Sequence, residues 1–278
     1  MNDTLREYLS YPSFIIPLLK VKKIVKPDFI CWGNKSQYFL HYKSPCKKSN
    51  NLIIYIHGGG WKTGSPKIFH FIGQRFALEG FDCIMPSYRK IPKFSYEEIS
   101  GDIFQGYSAI GKYLSEKQFH YDKVIIVGTS AGAHLGAVLC YDTKSQAKYG
   151  ISSQCFSGFV GLAGPFAFAS PQTRELNKLL SQLFKSKTLE RWRVGEPISM
   201  LQRGQQTRML IVHSRHDGIV HYDQAEQFVE RAKSLKIPAE IYEVNEAQNT
   251  HSAYSAGIFI KKQNESPTLE KILSWIAK

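Results

Sequence analysis

The stretch K-V-I-I-V-G-T-S-A-G, residues Lys123–Gly132, decides how the rest of the chain is read. Lys123–Val127 is an apolar, β-branched run, as expected of a strand buried on both faces. From about Ala131 to Tyr141 the pattern is helical. The turn between them places Ser130 at a sharp strand-to-helix corner, with Gly128 and Gly132 two residues to either side. Small neighbours are needed there, and glycine supplies the room. The following helix would aim its first N–H groups and the positive end of its dipole at the corner, which favours a developing anion. Ser130 is therefore a candidate nucleophile. The plainer alternative is a tight strand–helix turn with no chemistry.

Outward from this corner, short apolar runs alternate with helical patterns, which predicts βαβ units and a mostly parallel sheet. Strands are expected at Tyr38–Tyr42, Asn51–Ile56, Phe81–Pro86, Gly158–Leu162, Met209–His213 and Glu240–Val244. Helices are expected near Lys67–Glu79, Glu97–Ser115, Asp223–Ser234 and Thr268–Ala277. Residues 1–278 read as a single α/β domain, with 1–50 forming an N-terminal arm and the first strands. An insert at about 164–206, with a helical pattern near Glu175–Phe184, reads as a small cap over the site. A decorative surface excursion is the alternative.

The bulk properties are those of a globular chain. Of 278 residues, 43% are hydrophobic and 21% charged, and no internal repeat is present. The net charge is +13, with lysines densest between Lys20 and Lys48. No nucleic-acid-binding motif accompanies them, so the excess reads as a solvated basic surface, with weak contact to an anionic membrane surface as the minor alternative. Five cysteines at irregular spacings imply free thiols and a reducing compartment. No early stretch has the form of a signal peptide, and none approaches the roughly 18 apolar residues of a membrane span, so a cytoplasmic location is expected. The apolar segment Tyr8–Leu19 is expected to pack on its own domain, or to serve as a flap over a pocket or a membrane-touching arm.

His57-Gly58-Gly59-Gly60-Trp61 directly follows the strand Asn51–Ile56. Consecutive glycines expose bare backbone N–H groups, which suit a tetrahedral oxyanion. The spacing is not that of a phosphate-binding loop. His57 reads as a structural residue of this loop. An acid and a base should follow Ser130 in that order. Asp217 lies just past the strand Met209–His213, at the end where open α/β sheets place their sites. Asp223 is the second choice, but resembles a helix cap. His221 is too close to Asp217 to reach Ser130, which leaves His251, on a polar loop after Glu240–Val244. A zinc site at His213, His216 and His221 lacks a further cluster to complete it, and neither a metal nor a cofactor is expected.

Taken together, His57–Trp61, Gly128–Gly132, Asp217 and His251 resemble the hormone-sensitive-lipase-like and carboxylesterase branch of the α/β-hydrolases. Tyr88-Arg89, Ile91-Pro92 and then Asp102 are similar to a further motif of that branch. The resemblance covers Asn51 to the C-terminus. It implies the α/β-hydrolase fold, oxyanion donors at Gly59, Gly60 and Ala131, and cofactor-free ester hydrolysis through an acyl-enzyme. The stretch Asp217–Val220 looks closer to small esterases and arylformamidases than to lipases. The expected substrate is a small-molecule ester of small or medium acyl chain, with Trp61, Phe166, Phe168 and Ile219 as pocket walls. For the aromatics, plain core packing is the alternative. An amide-cleaving hydrolase of the arylformamidase kind is the second functional expectation, and a non-catalytic binding protein on the same fold the third.

Overall fold

The computed structural model describes residues 3–170, 172–247, 249–261 and 265–278. The chain opens with α1 (Asp3–Leu19), β1 (Asp28–Cys31), β2 (Tyr38–Tyr42) and β3 (Asn51–Ile56), followed by α2 (His70–Leu78) and β4 (Asp82–Pro86). The middle runs through α3 (Tyr96–Glu116), β5 (Lys123–Thr129), α4 (Ala131–Tyr141), α5 (Thr143–Lys148) and β6 (Gly158–Leu162). Next come α6 (Arg174–Leu183), α7 (Leu189–Trp192) and α8 (Pro197–Met200). The chain then continues through β7 (Arg208–His213), α9 (Tyr222–Ser234), β8 (Ala239–Glu243), α10 (His251–Ser255) and α11 (Pro267–Ala277).

The strands form one eight-stranded sheet in the order β1-β2-β4-β3-β5-β6-β7-β8. β1 and β2 pair antiparallel with each other, and β2 with β4; every later neighbour is parallel. This is the mostly parallel, helix-covered sheet implied by the hydrolase resemblance. Alternation along β3 divides the core. Ile53 and Tyr55 face a cluster completed by α2 and α11, while Leu52, Ile54 and Ile56 face one completed by α3, α4 and α9. With helices on both faces, the central strands are buried along their whole length and mostly apolar, as β3 is after Asn51.

Most element boundaries fall within a few residues of those expected. The helix after the glycine loop starts at His70, because Ser65 O first accepts from the amides of Ile68 and Phe69 in a separate turn. α1 and the edge strand β1 have no counterpart in the sequence reading. Pro12 and Pro17 lie within α1 and obscure its helical pattern. His251 opens the short helix α10 instead of lying on a loop. Between residues 164 and 206, α6 packs over the glycine loop: a Cβ on Gly60 would come within 3.0 Å of Leu179 Cδ1. Among the described residues, no helix is long and apolar enough to cross a membrane.

Candidate active site

Ser130 sits where β5 hands over to α4, with φ 52° and ψ −120°. That φ is costly for a residue with a side chain, so the surroundings must hold it. Ser130 N–H donates to Leu162 O of β6 at 2.8 Å. The flanking glycines are dictated by sterics. A Cβ on Gly128 would lie 2.3 Å from Gly132 O, and one on Gly132 would lie 2.0 Å from Ile56 O.

Asp217 follows β7 and is buried. Its Oδ1 accepts from the amides of Ile219 (2.9 Å) and Val220 (2.8 Å), which fixes the carboxylate plane. His251 Nδ1–H donates to the same carboxylate, 2.8 Å from Oδ2 and 3.0 Å from Oδ1. This tautomer leaves His251 Nε2 as an acceptor, 2.8 Å from Ser130 Oγ. Tyr254, one turn along α10, donates its hydroxyl to Asp217 Oδ2 at 2.6 Å. The three side chains thus form a continuous line drawn from positions up to 121 residues apart.

Electrostatics follow from this packing. Burial pushes the Asp217 carboxyl up, but the charge and hydrogen bond of His251, helped by His213 and Tyr254, outweigh it and bring it down to about 2. Burial pulls the His251 imidazole down, yet the charge and hydrogen bond of Asp217, with Glu7 and Glu175 beyond, leave it raised above its ordinary value. The buried acid therefore stays ionised and can stabilise an imidazolium next to it.

The glycine loop runs alongside Ser130. Gly59, Gly60 and Trp61 all have positive φ (114°, 59° and 56°), and Gly59 O is turned back to accept from the amides of Lys62 and Thr63. The N–H groups of Gly59, Gly60 and Ala131 have no acceptor within the chain among the described residues. His57 is buried and holds the loop: Nδ1–H donates to Gly58 O at 2.7 Å, Nε2 accepts from Lys90 at 3.3 Å, and the ring stacks on Tyr88. Burial and the nearby Lys90 keep His57 well below the ordinary imidazole range. Tyr88 donates to His57 O, and Arg89 is anchored by Asp102 through Nε at 2.8 Å.

A cavity of about 370 Å³ opens over Ser130, lined by the loop glycines, Phe69, Glu175, Leu179, Ile219, His251 and Ser255. Ile219 lies on this wall; Trp61, Phe166 and Phe168 do not. Phe166 is fully buried, stacked on Phe228 at 4.7 Å. Phe168 packs on His134 and Phe184. Trp61 donates its indole N–H to His134 Nδ1, and His134 donates from Nε2 to Gly195 O. These aromatics form the layer behind the loop and join it to the 164–206 segment. Glu175, Leu179, Tyr254 and Glu7 were not identified from sequence. Tyr254 would have been visible at i+3 from His251 had α10 been recognised as helical.

The alternative acid and metal positions also separate. Asp223 is in the first turn of α9, and its N-cap residue is His221. His213 Nε2–H donates to Val220 O, and His216 pairs with Asp3. Among the described residues, no group of three or more His, Cys, Asp or Glu side chains is placed to hold a metal ion.

A sequence profile of the BD-FAE family matches residues 40–232, well over half of the chain. The chain belongs to the BD-FAE family. This BD-FAE chain is 24% identical over 200 residues to Esterase LipC of Mycobacterium tuberculosis, spanning 66% of this chain and 48% of the relative. It is 22% identical over 202 residues to the Probable carboxylic ester hydrolase LipM of the same organism, spanning 69% of this chain and 47% of the relative. The chain thus spans about half the length of these curated relatives. In fold it is similar to esterase B from Lactobacillus rhamnosis (TM-score 0.74, 15% identity, 99% of this chain and 95% of the other). It is also similar to Thermogutta terrifontis esterase 2 phosphonylated by sarin (TM-score 0.72, 18% identity, 92% and 94%). These likenesses establish the BD-FAE chain as an α/β-hydrolase of the carboxylesterase branch.

Proposed function

We propose that the protein hydrolyses carboxylic esters of small or medium acyl chain through an acyl-enzyme on Ser130. The observation that carries this reading is the unbroken line Ser130 Oγ, His251 Nε2, His251 Nδ1–H and Asp217, opening on a cavity beside unpaired loop amides. The esterase names of the relatives support the reaction class. Ser130 Oγ attacks the acyl carbonyl while His251 Nε2 takes its proton. The oxyanion is met by the N–H groups of Gly59, Gly60 and Ala131. His251 returns the proton to the departing alkoxide, leaving the acyl group on Ser130. Water then repeats the sequence, releasing the acid and free Ser130. Asp217 holds the Nδ1–H tautomer throughout and stabilises the imidazolium.

The catalytic unit is a single α/β domain, with 164–206 as its cap. The five cysteines are all free thiols, which supports a reducing compartment such as the cytoplasm. The exposed side chains of Leu5, Leu9, Ile16 and Ile24, with the exposed Lys20, Lys22, Lys23 and Lys26 in the same N-terminal segment, favour weak contact with an anionic lipid surface. Co-sedimentation with vesicles containing phosphatidylserine, absent with neutral vesicles, is the check on that contact. The reaction is tested with a fluorophosphonate probe and a graded panel of aryl esters and formylated aryl amines, on wild type and Ser130→Ala. Labelling at Ser130 and ester turnover are expected, both lost in the variant. Turnover of the amides with none of the esters would move the reading to an arylformamidase.

A further inference from the structure

We infer that Glu7, on the N-terminal helix, is a positioning residue for the base: its carboxylate holds the backbone of His251 and sets the ring between Ser130 and Asp217. This rests on the acyl-transfer reading above. Glu7 is fully buried. Its Oε2 accepts from the His251 amide at 2.6 Å and its Oε1 from the Ser252 amide at 3.1 Å. Both carboxylate oxygens therefore serve two consecutive backbone N–H groups, one of them on the base itself. These bonds cross 244 and 245 residues of sequence, so α1 is docked onto α10 and does not trail from the domain.

The rest of α1 is fastened to the same surroundings. Ser10 Oγ bonds Thr250 Oγ1 at 3.0 Å, just before the base. Thr4 Oγ1 donates to Gly218 O at 3.1 Å, just after the acid, and a Cβ on Gly218 would lie 2.4 Å from Asp3 O. Tyr8 donates to Glu175 Oε2 of α6 at 2.5 Å. One helix thus touches the acid loop, the base and the cap, and its buried carboxylate sits at the base. An unneutralised carboxylate is costly to bury. Two backbone donors offset that cost in the resting enzyme, and the imidazolium formed during acyl transfer offsets it further. Glu7 therefore both orients His251 and favours its charged form. The other titratable groups facing the ring are Asp217 and His213, Tyr254 of its own helix, and Glu175 of α6.

The test is Glu7→Gln and Glu7→Asp in the full chain, read by kcat and KM across pH and by the rate of fluorophosphonate labelling at Ser130. Glu7→Gln removes the charge and turns an amide donor toward one of the two N–H groups. Its plateau kcat is expected to fall roughly tenfold, as for one lost charge-assisted hydrogen bond, with KM within about twofold. Its acid limb should move to lower pH, since a negative charge near the imidazole has gone. Glu7→Asp keeps the charge and should hold the limb at its wild-type position. Loss of fold alone would lower the plateau and the melting temperature without shifting the limb downward. An active wild type whose Glu7→Gln keeps both plateau and limb overturns this inference alone. A wild type that neither labels at Ser130 nor cleaves esters overturns the acyl-transfer reading together with it.

Discussion

At the residue scale, the proposed division of labour between Asp217 and His251 follows from their surroundings. Burial works against the Asp217 charge, but the charge and hydrogen bond of His251, with His213 and Tyr254, outweigh it and bring the carboxyl down to about 2, while two backbone amides fix its orientation. Replacing it with Asn keeps the volume but offers His251 the wrong partner, and kcat should fall by roughly 10³–10⁴-fold. Steady-state turnover of a short aryl ester measures this; a loss of less than about tenfold would exclude Asp217 as the acid. The raised imidazole gives a pH prediction. In the proposed mechanism His251 must be neutral to accept a proton, so kcat/KM should fall as pH drops, with the limb above the ordinary imidazole value of about 6.5. A limb well below that value would contradict the packing described. For stability the sign is that of a depressed carboxylate. The contribution of Asp217 is fully present above its unfolded value of about 3.9 and is lost as pH falls toward about 2. Melting temperature followed from pH 5 to 2 should drop less steeply in Asp217→Asn than in wild type.

At the element scale, legibility followed the range of the interactions. The turn at Gly128–Gly132 and the loop at His57–Trp61 could be read because local geometry demands those residues: no Cβ fits on Gly128 or Gly132. Gly132→Ala is accordingly expected to cost several kcal/mol or to abolish folding, since the clash is with backbone at 2.0 Å. Expression level and thermal denaturation report it. What the sequence hid was long-range. Glu7 reaches the base across 244 residues, in a helix with two internal prolines. The aromatics Trp61, Phe166 and Phe168 stand next to the right motifs, but an aromatic residue suits a core as well as a pocket wall. Their neighbours Phe228, His134 and Phe184 decided the matter. Helix α6, in the proposed cap, depends on a further distant contact. Thr173 caps it by accepting from Leu176 N and donates its own hydroxyl to Ile219 O of the acid loop at 2.7 Å. Thr173→Ala should lower stability by about 1 kcal/mol and raise KM more than it changes kcat, because α6 carries the pocket residues Glu175 and Leu179. Unchanged KM would mean that α6 does not shape the substrate site.

At the scale of the whole molecule, the loops at the strand ends, α6 of the 164–206 segment and α10 line a cavity over Ser130, and its size bears on the proposed acyl group. A volume of about 370 Å³ is at the small end of ligand pockets, and Ile219 and Leu179 provide its aliphatic walls. Burying each added methylene is worth about 0.8 kcal/mol, or roughly fourfold in kcat/KM if the gain is expressed in the transition state. Along a series of unbranched aryl esters, kcat/KM should therefore climb by up to about fourfold per carbon and turn down once the acyl chain meets the cap. Leu179 is the residue that the cap presents against Gly60. Leu179→Ala removes aliphatic wall while leaving Ser130, His251 and Asp217 untouched, so the maximum should move to a longer acyl chain. Activity on the shortest ester should change little. If the maximum stays at the same chain length in Leu179→Ala, the acyl group does not lie under α6, and the cleft would then hold the leaving group instead.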